Sequence, residues 1–173
     1  MAIVVGVLMV VSIAGIAVSN TSAPDTGLTY NGFSFELRYL NGQPRFFTEY
    51  GGQEVYFFYL PQNTQALTVS GNLTATLAPA GRMIISGDPY ADIVVLPELL
   101  RYELPQFTDK LIGGAVTRPH KDYVQFPVLT CANASVGVPV LLFEETNTTS
   151  SIVVDDACVT VFVKPEELGL VRD

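Results

Sequence analysis

Positive charge is scarce in this chain, and the scarcity excludes several functions at once. Its 173 residues carry nine lysines and arginines against 17 aspartates and glutamates, a net charge of −8. The basic residues are scattered. Without a Lys/Arg cluster there is no footprint for a phosphate backbone, so no nucleic-acid partner is expected. Charged residues of both signs make up 15% of the sequence, against about 25% in ordinary soluble domains. Histidine is scarcer still: His120 is the single one, in the polar stretch Arg118-Pro119-His120-Lys121-Asp122.

These shortages limit the chemistry. A serine nucleophile needs a base beside it, and the chain has no Gly-x-Ser-x-Gly elbow to present one. Zinc needs several His, Cys or carboxylate ligands at set spacings, and one histidine with two cysteines is too few. Gly51-Gly52 and Gly113-Gly114 are isolated pairs, not a phosphate-cradling loop. The sequence therefore points to no catalytic residue, no metal and no cofactor. Asp155-Asp156 and Glu144-Glu145 near strand ends are the places where calcium could be held, and they read as solvated turns. Asp88, in Gly87-Asp88-Pro89, is the most suggestive carboxylate because it ends a strand. Its position before proline already explains it as a helix cap.

Apolar residues, by contrast, are abundant at 49%. Ala2 to Val18 form an unbroken run without charge or proline. A secretory signal has an apolar stretch of about 7 to 15 residues and a membrane span about 17 to 25, and this run lies between. Residues 1–19 are read as a membrane anchor or signal segment, 20–29 as a polar linker, and 30–173 as one extracytoplasmic domain. The membrane, met through residues 2–18, is thus the first expected partner. A protein partner or self-association is the second.

Two further features agree with that compartment. Asn20, Asn72, Asn133 and Asn147 each open an Asn-x-Ser/Thr sequon without proline in the middle, and each is a glycosylation candidate if translocated and exposed. The two cysteines, Cys131 and Cys158, are an even pair. In an oxidising compartment they would close a loop of about 28 residues, worth about 3 kcal/mol.

Along the domain, Phe33, Phe35 and Leu37 alternate with Ser34, Glu36 and Arg38, the pattern of a half-buried strand. Asn41-Gly42 marks a tight turn into a second strand over 45–50. Gly51-Gly52 turns the chain into a third, 54–60, whose aromatics on both faces suggest a central strand. Arg82 to Ser86 reads as a buried strand. A helical stretch is expected from about Pro89 to Leu104, interrupted at Pro97. Beyond a Gly113-Gly114 break, strands are expected over 115–117, 124–131, 138–143, 151–154 and 158–163, with Glu144 to Ser150 as a hairpin connection. Lys164 to Glu167 could open a last helical turn. The expected fold class is α+β: an N-terminal apolar helix, a three-stranded antiparallel meander, a helical middle, and C-terminal strands with one disulfide. An all-β sandwich is the alternative.

Several landmarks, Tyr30-Asn31-Gly32-Phe33, Phe58-Tyr59-Leu60-Pro61, Thr130-Cys131-Ala132-Asn133-Ala134, Val138-Pro139-Val140 and Cys158, occur together behind the apolar leader. In these the chain resembles a group of uncharacterised membrane-anchored archaeal proteins with an extracytoplasmic domain. The resemblance implies an anchor and no particular activity or site residue. Archaeal pilin-like subunits also place an apolar helix before a β-rich domain, although here no acidic residue follows the start. The expected function is a tethered or secreted extracytoplasmic protein of structural or interaction type, without catalysis. A filament subunit, and a small carboxylate-based enzyme or solute-binding domain, are the alternatives.

Overall fold

The computed structural model describes residues 28–57, 59–60 and 67–167. The apolar segment 2–18 and Asn20 lie outside them. No helix among the described residues is long and apolar enough to cross a membrane.

The first sheet is antiparallel, in the order β1-β2-β3-β4. Its strands are β1 (Leu28–Tyr30), β2 (Phe33–Leu40), β3 (Gln43–Tyr50) and β4 (Gln53–Phe57). Each hairpin turns through two residues with positive φ: Asn31-Gly32, Asn41-Gly42 and Gly51-Gly52. Such turns match the twist of the flanking strands, which is why Asn-Gly and Gly-Gly occupy them. The expected three-stranded meander is therefore present with one strand more. Phe35, Val55 and Phe57 form its buried face.

The second sheet has six strands in the order β5-β9-β10-β8-β6-β7. They are β5 (Thr68–Ser70), β6 (Arg82–Gly87), β7 (Leu111–Val116), β8 (Val140–Glu145), β9 (Ser151–Asp155) and β10 (Cys158–Val163). β7, β6, β8 and β10 run parallel to their neighbours, and β9 is antiparallel to β10. Two helices accompany this sheet, α1 (Leu73–Leu77) and α2 (Val95–Glu103). Leu96, Leu100 and Leu104, one helical stripe at four-residue spacing, pack with Met83, Ile85, Leu141, Phe143 and Val161 on one face. On the other face Ile84, Ala115, Val140, Leu142 and Cys158 are covered by Leu129, Cys131, Ala134 and Val138. Phe107, just after α2, touches both the helix-side core and the meander core.

This corrects the expected α+β fold with a helical middle. The protein is mostly sheet, in two sheets, and α2 is the one helix of more than two turns among the described residues. Residues 89–94 are turns instead. The Asp88 carboxylate accepts the Tyr90 N–H at 2.9 Å and the Asp88 carbonyl accepts the Ala91 N–H at 3.2 Å. That local bonding, followed by β-branched Ile93-Val94-Val95, competes with a helix. α2 begins at Val95, so Pro97 falls in its first turn, where a missing N–H costs little. The all-β alternative agrees better in strand content, but a parallel pair such as β6–β7, joined through α2, is not a sandwich feature.

Four smaller expectations are also corrected. Gly113-Gly114 lie inside β7, not at a break. β4 is an edge strand among the described residues, not a central one. Its outer aromatic, Tyr56, packs on Phe47 at 5.7 Å, and the Arg38 guanidinium lies 4.2 Å over Phe47. Residues 124–131 make a turn from Tyr123 to Phe126, a single bridge Val116–Val128, and a 3-10 turn at Cys131–Asn133. Pro127, which has no N–H to donate, sits in the middle of that stretch. Glu144 to Ser150 is not a hairpin connection, because β10 lies between β8 and β9. β10 buries Cys158, Val159, Val161 and Val163, the composition of an interior strand.

Candidate functional site

Because β6, β7, β8 and β10 run parallel, their carboxyl ends share one edge of the sheet. Open sheets of this kind bind ligands there, where successive connections leave in opposite directions. Here that point is beside β6, from which the chain goes to β7 on one side and then to β8 on the other. The candidate site is built from Asp88 after β6, residues 117–127 after β7, and Glu145 at the end of β8.

Asp88 is held from two directions. Arg118 donates from Nε to Oδ1 at 2.8 Å and from Nη2 to Oδ2 at 2.6 Å, while Tyr90 N–H also reaches Oδ1. Burial alone would raise this carboxyl, but the Arg118 bond, the Tyr90 N–H and the Arg118 charge together hold it below the usual carboxylate range. The same guanidinium lies 4.5 Å over the Tyr90 ring, and the Tyr90 hydroxyl donates to the Pro119 carbonyl at 3.3 Å. His120 meets Tyr90 edge-on at 4.6 Å, and its Nδ1 accepts the Asp122 N–H at 3.1 Å. Glu145 Oε2 accepts the Asp92 N–H at 2.9 Å.

The stack continues along the segment. The His120 ring is 5.5 Å from Tyr123, Tyr123 is 6.0 Å from Phe126, and Phe126 lies 4.7 Å beneath the Arg101 guanidinium. Arg101, on α2, donates to the carbonyls of Ile85 and Ala115 and to Glu98 at 2.5 Å. Burial pushes the Arg101 pKa down, against the opposing pull of Glu98. Residues 117–127 are thus a strap across the ends of β6 and β7, fixed by Arg118 at one end and Phe126 at the other.

Gly114 makes room for the strap. A Cβ there would stand 2.6 Å from the Phe126 ring and 3.1 Å from Arg101 Nε. Glycine inside a strand otherwise weakens it, and close approach of another group is the usual reason to keep one. Gly114→Ala should therefore lift Phe126 and cost about 1 to 3 kcal/mol. Hydrogen exchange should rise across residues 117–129 and stay unchanged in β2 and β3. Unchanged protection of the strap would contradict this seat.

The Asp88 carboxyl also gives a pH dependence. Its pKa is depressed in the fold, so the stabilisation is complete above the unfolded carboxylate value of about 4 and is lost as pH falls through the lower folded value. Glu167 acts in the same window, because the Ser150 N–H and hydroxyl lower its pKa. Tm should fall below about pH 4. Asp88→Asn should lower Tm modestly at neutral pH and make that acid limb shallower. An acid limb identical to that of the unsubstituted protein would remove Asp88 from the account.

The sequence candidates are distributed around this sheet. Cys131 and Cys158 are joined in a disulfide, with Cα atoms 5.3 Å apart. It pins the 3-10 turn after the strap to the first residue of β10. Asn72, Asn133 and Asn147 are all exposed, on separate loops. Asp155-Asp156 and Glu144-Glu145 do not converge: Asp155 pairs with Cys158 at the start of β10, whereas Glu144 and Glu145 pair with its end. No group of three or more metal-ligating side chains occurs among the described residues.

Set against protein-family models, curated proteins and solved structures, the chain matches none of them.

The strap residues Arg118 and Phe126, and Tyr90 and Arg101 that seat them, carry no motif in the sequence. Asp88 and Arg118 are 30 residues apart, and only the parallel pairing of β6 with β7 brings them together. One signal was available: a Gly-Gly pair between Leu111-Ile112 and Ala115-Val116 fits a strand with something pressed against it as well as it fits a break.

Proposed function

We propose that this chain is a tethered extracytoplasmic domain of structural or interaction type, and that it does not catalyse. One observation carries the reading: at the strand edge where ligands would bind, Asp88, His120 and Ser86 all bond to other groups of the fold. Asp88 uses both oxygens on Arg118 and Tyr90, and His120 uses Nδ1 on the Asp122 N–H. Ser86, fully buried, donates its hydroxyl to the Leu129 carbonyl at 2.6 Å. Each interaction fixes the strap or its continuation, so their role is to close this edge.

The location rests on different support. Disulfides persist in oxidising compartments, and the Cys131–Cys158 bond is consistent with one. The apolar run 2–18 supplies the tether, to membrane lipid in preference to a filament core. Fractionation of the source cells with external protease tests the reading. The expected result is a chain in the membrane fraction, released by detergent and cut in intact cells. Recovery of the whole chain in the soluble cytosol would reject it.

A further inference from the structure

The three sequons within the described residues differ in how far the fold already uses them. Asn72 caps α1, its Oδ1 accepting the Ala75 N–H at 3.0 Å, and the Thr74 hydroxyl that completes the sequon is buried. Asn133 closes the 3-10 turn at Cys131, its Oδ1 accepting the Thr130 N–H at 2.9 Å. Its sequon serine, though exposed, has its backbone held in place. Ser135 exchanges backbone bonds with Val138 at 3.1 and 3.0 Å, and the disulfide sits two residues before Asn133.

Asn147 is presented differently. Asn147, Thr148 and Thr149 are all exposed in the β8–β9 connection. Neither the Asn147 amide nor the Thr149 hydroxyl has a hydrogen bond to any other described residue. The base of the loop is firm: Thr146 N–H donates to Val163 O at 3.0 Å, and Ser150 N–H to Glu167 at 2.9 Å. A transferase must hold the sequon hydroxyl while the asparagine amide attacks, and among the described sequons only this one offers both groups unengaged and exposed.

We propose that Asn147 is the N-glycosylation site of the folded domain, and that Asn72 and Asn133 are passed over. The donor is a saccharide linked through phosphate to a lipid. The Asn147 amide nitrogen bonds to the anomeric carbon, the bond from that carbon to the phosphate oxygen breaks, and the lipid phosphate leaves with the electron pair. The amide proton passes to a base of the transferase. The proposal rests on the extracytoplasmic reading.

Glycopeptide mass spectrometry of the full chain from its source cells tests it, with external protease treatment of the same cells. Glycan is expected on the peptide containing Asn147, with Asn72 and Asn133 unmodified or far less occupied. Asn147→Gln and Thr149→Ala should each abolish the mass shift. Comparable occupancy at Asn72 or Asn133 would overturn the proposal. So would a bare Asn147 in protein that external protease reaches. A bare Asn147 in protein that the protease does not reach would overturn the location reading, and this proposal with it.

Discussion

Phe57→Ala is expected to destabilise the protein by about 3 to 5 kcal/mol, the range for deleting a fully buried aromatic ring. Phe57 is 1% exposed and meets Phe35 edge-to-face at 5.9 Å. Among the described residues, Phe35, Val55 and Phe57 are the buried members of this meander core, so few neighbours can collapse into the space left behind. β4 is paired on one side only among the described residues, which leaves the strand more dependent on its side chains. The denaturant midpoint should fall while the slope with denaturant stays constant. Phe57→Leu should recover most of the loss. A cost of less than about 1 kcal/mol for the alanine would mean that the meander core does not hold the sheet, since such a cost is typical of a surface change.

Loss of the disulfide is the second large effect. The double substitution Cys131→Ala with Cys158→Ala should cost about 3 kcal/mol, mainly by freeing the unfolded chain. In a chain of this length that corresponds to a fall in Tm of about 10 °C. The effect should be regional as well. Residues 128–138 cover one face of the six-stranded sheet without a regular strand or α-helix of their own. Besides the disulfide they are held by the Val116–Val128 bridge, the Ser86 bond to Leu129 and the packing of Leu129, Ala134 and Val138. Hydrogen exchange should therefore accelerate more in 128–138 and at the start of β10 than in the meander. A uniform loss of protection would show that the bond acts only on the unfolded chain.

What could be read in advance divides along a physical line. The meander was legible because its information is local: period-two alternation, with Asn41-Gly42 and Gly51-Gly52 between the runs. Even its extra hairpin has the same marker, Asn31-Gly32, directly ahead of that alternation. The six-stranded sheet was legible only in pieces. Arg82–Gly87, Ser151–Asp155 and Cys158–Val163 show as apolar runs, but nothing local says that β10 inserts between β8 and β9. The helical middle failed because Asp88 bonds to the Tyr90 N–H across a turn, a choice that its pairing with Arg118 reinforces from 30 residues away. The strap had no local signature at all, because Arg118 and Phe126 are seated on Tyr90 and Arg101, which lie on other segments. The cysteine pair was legible because two cysteines allow a single intramolecular pairing.

The account turns on the claim that this domain lives in an oxidising compartment, where the Cys131–Cys158 staple forms and the chain stands outside the cytoplasm. Its most direct test is the thiol state of the native protein. Source cells are lysed with an alkylating agent present, and the chain is digested without reduction and analysed by mass spectrometry. The account predicts one linked peptide pair containing Cys131 and Cys158, with no alkylated form of either. Recovery of both cysteines alkylated, in protein whose thiols were trapped at lysis, would contradict it.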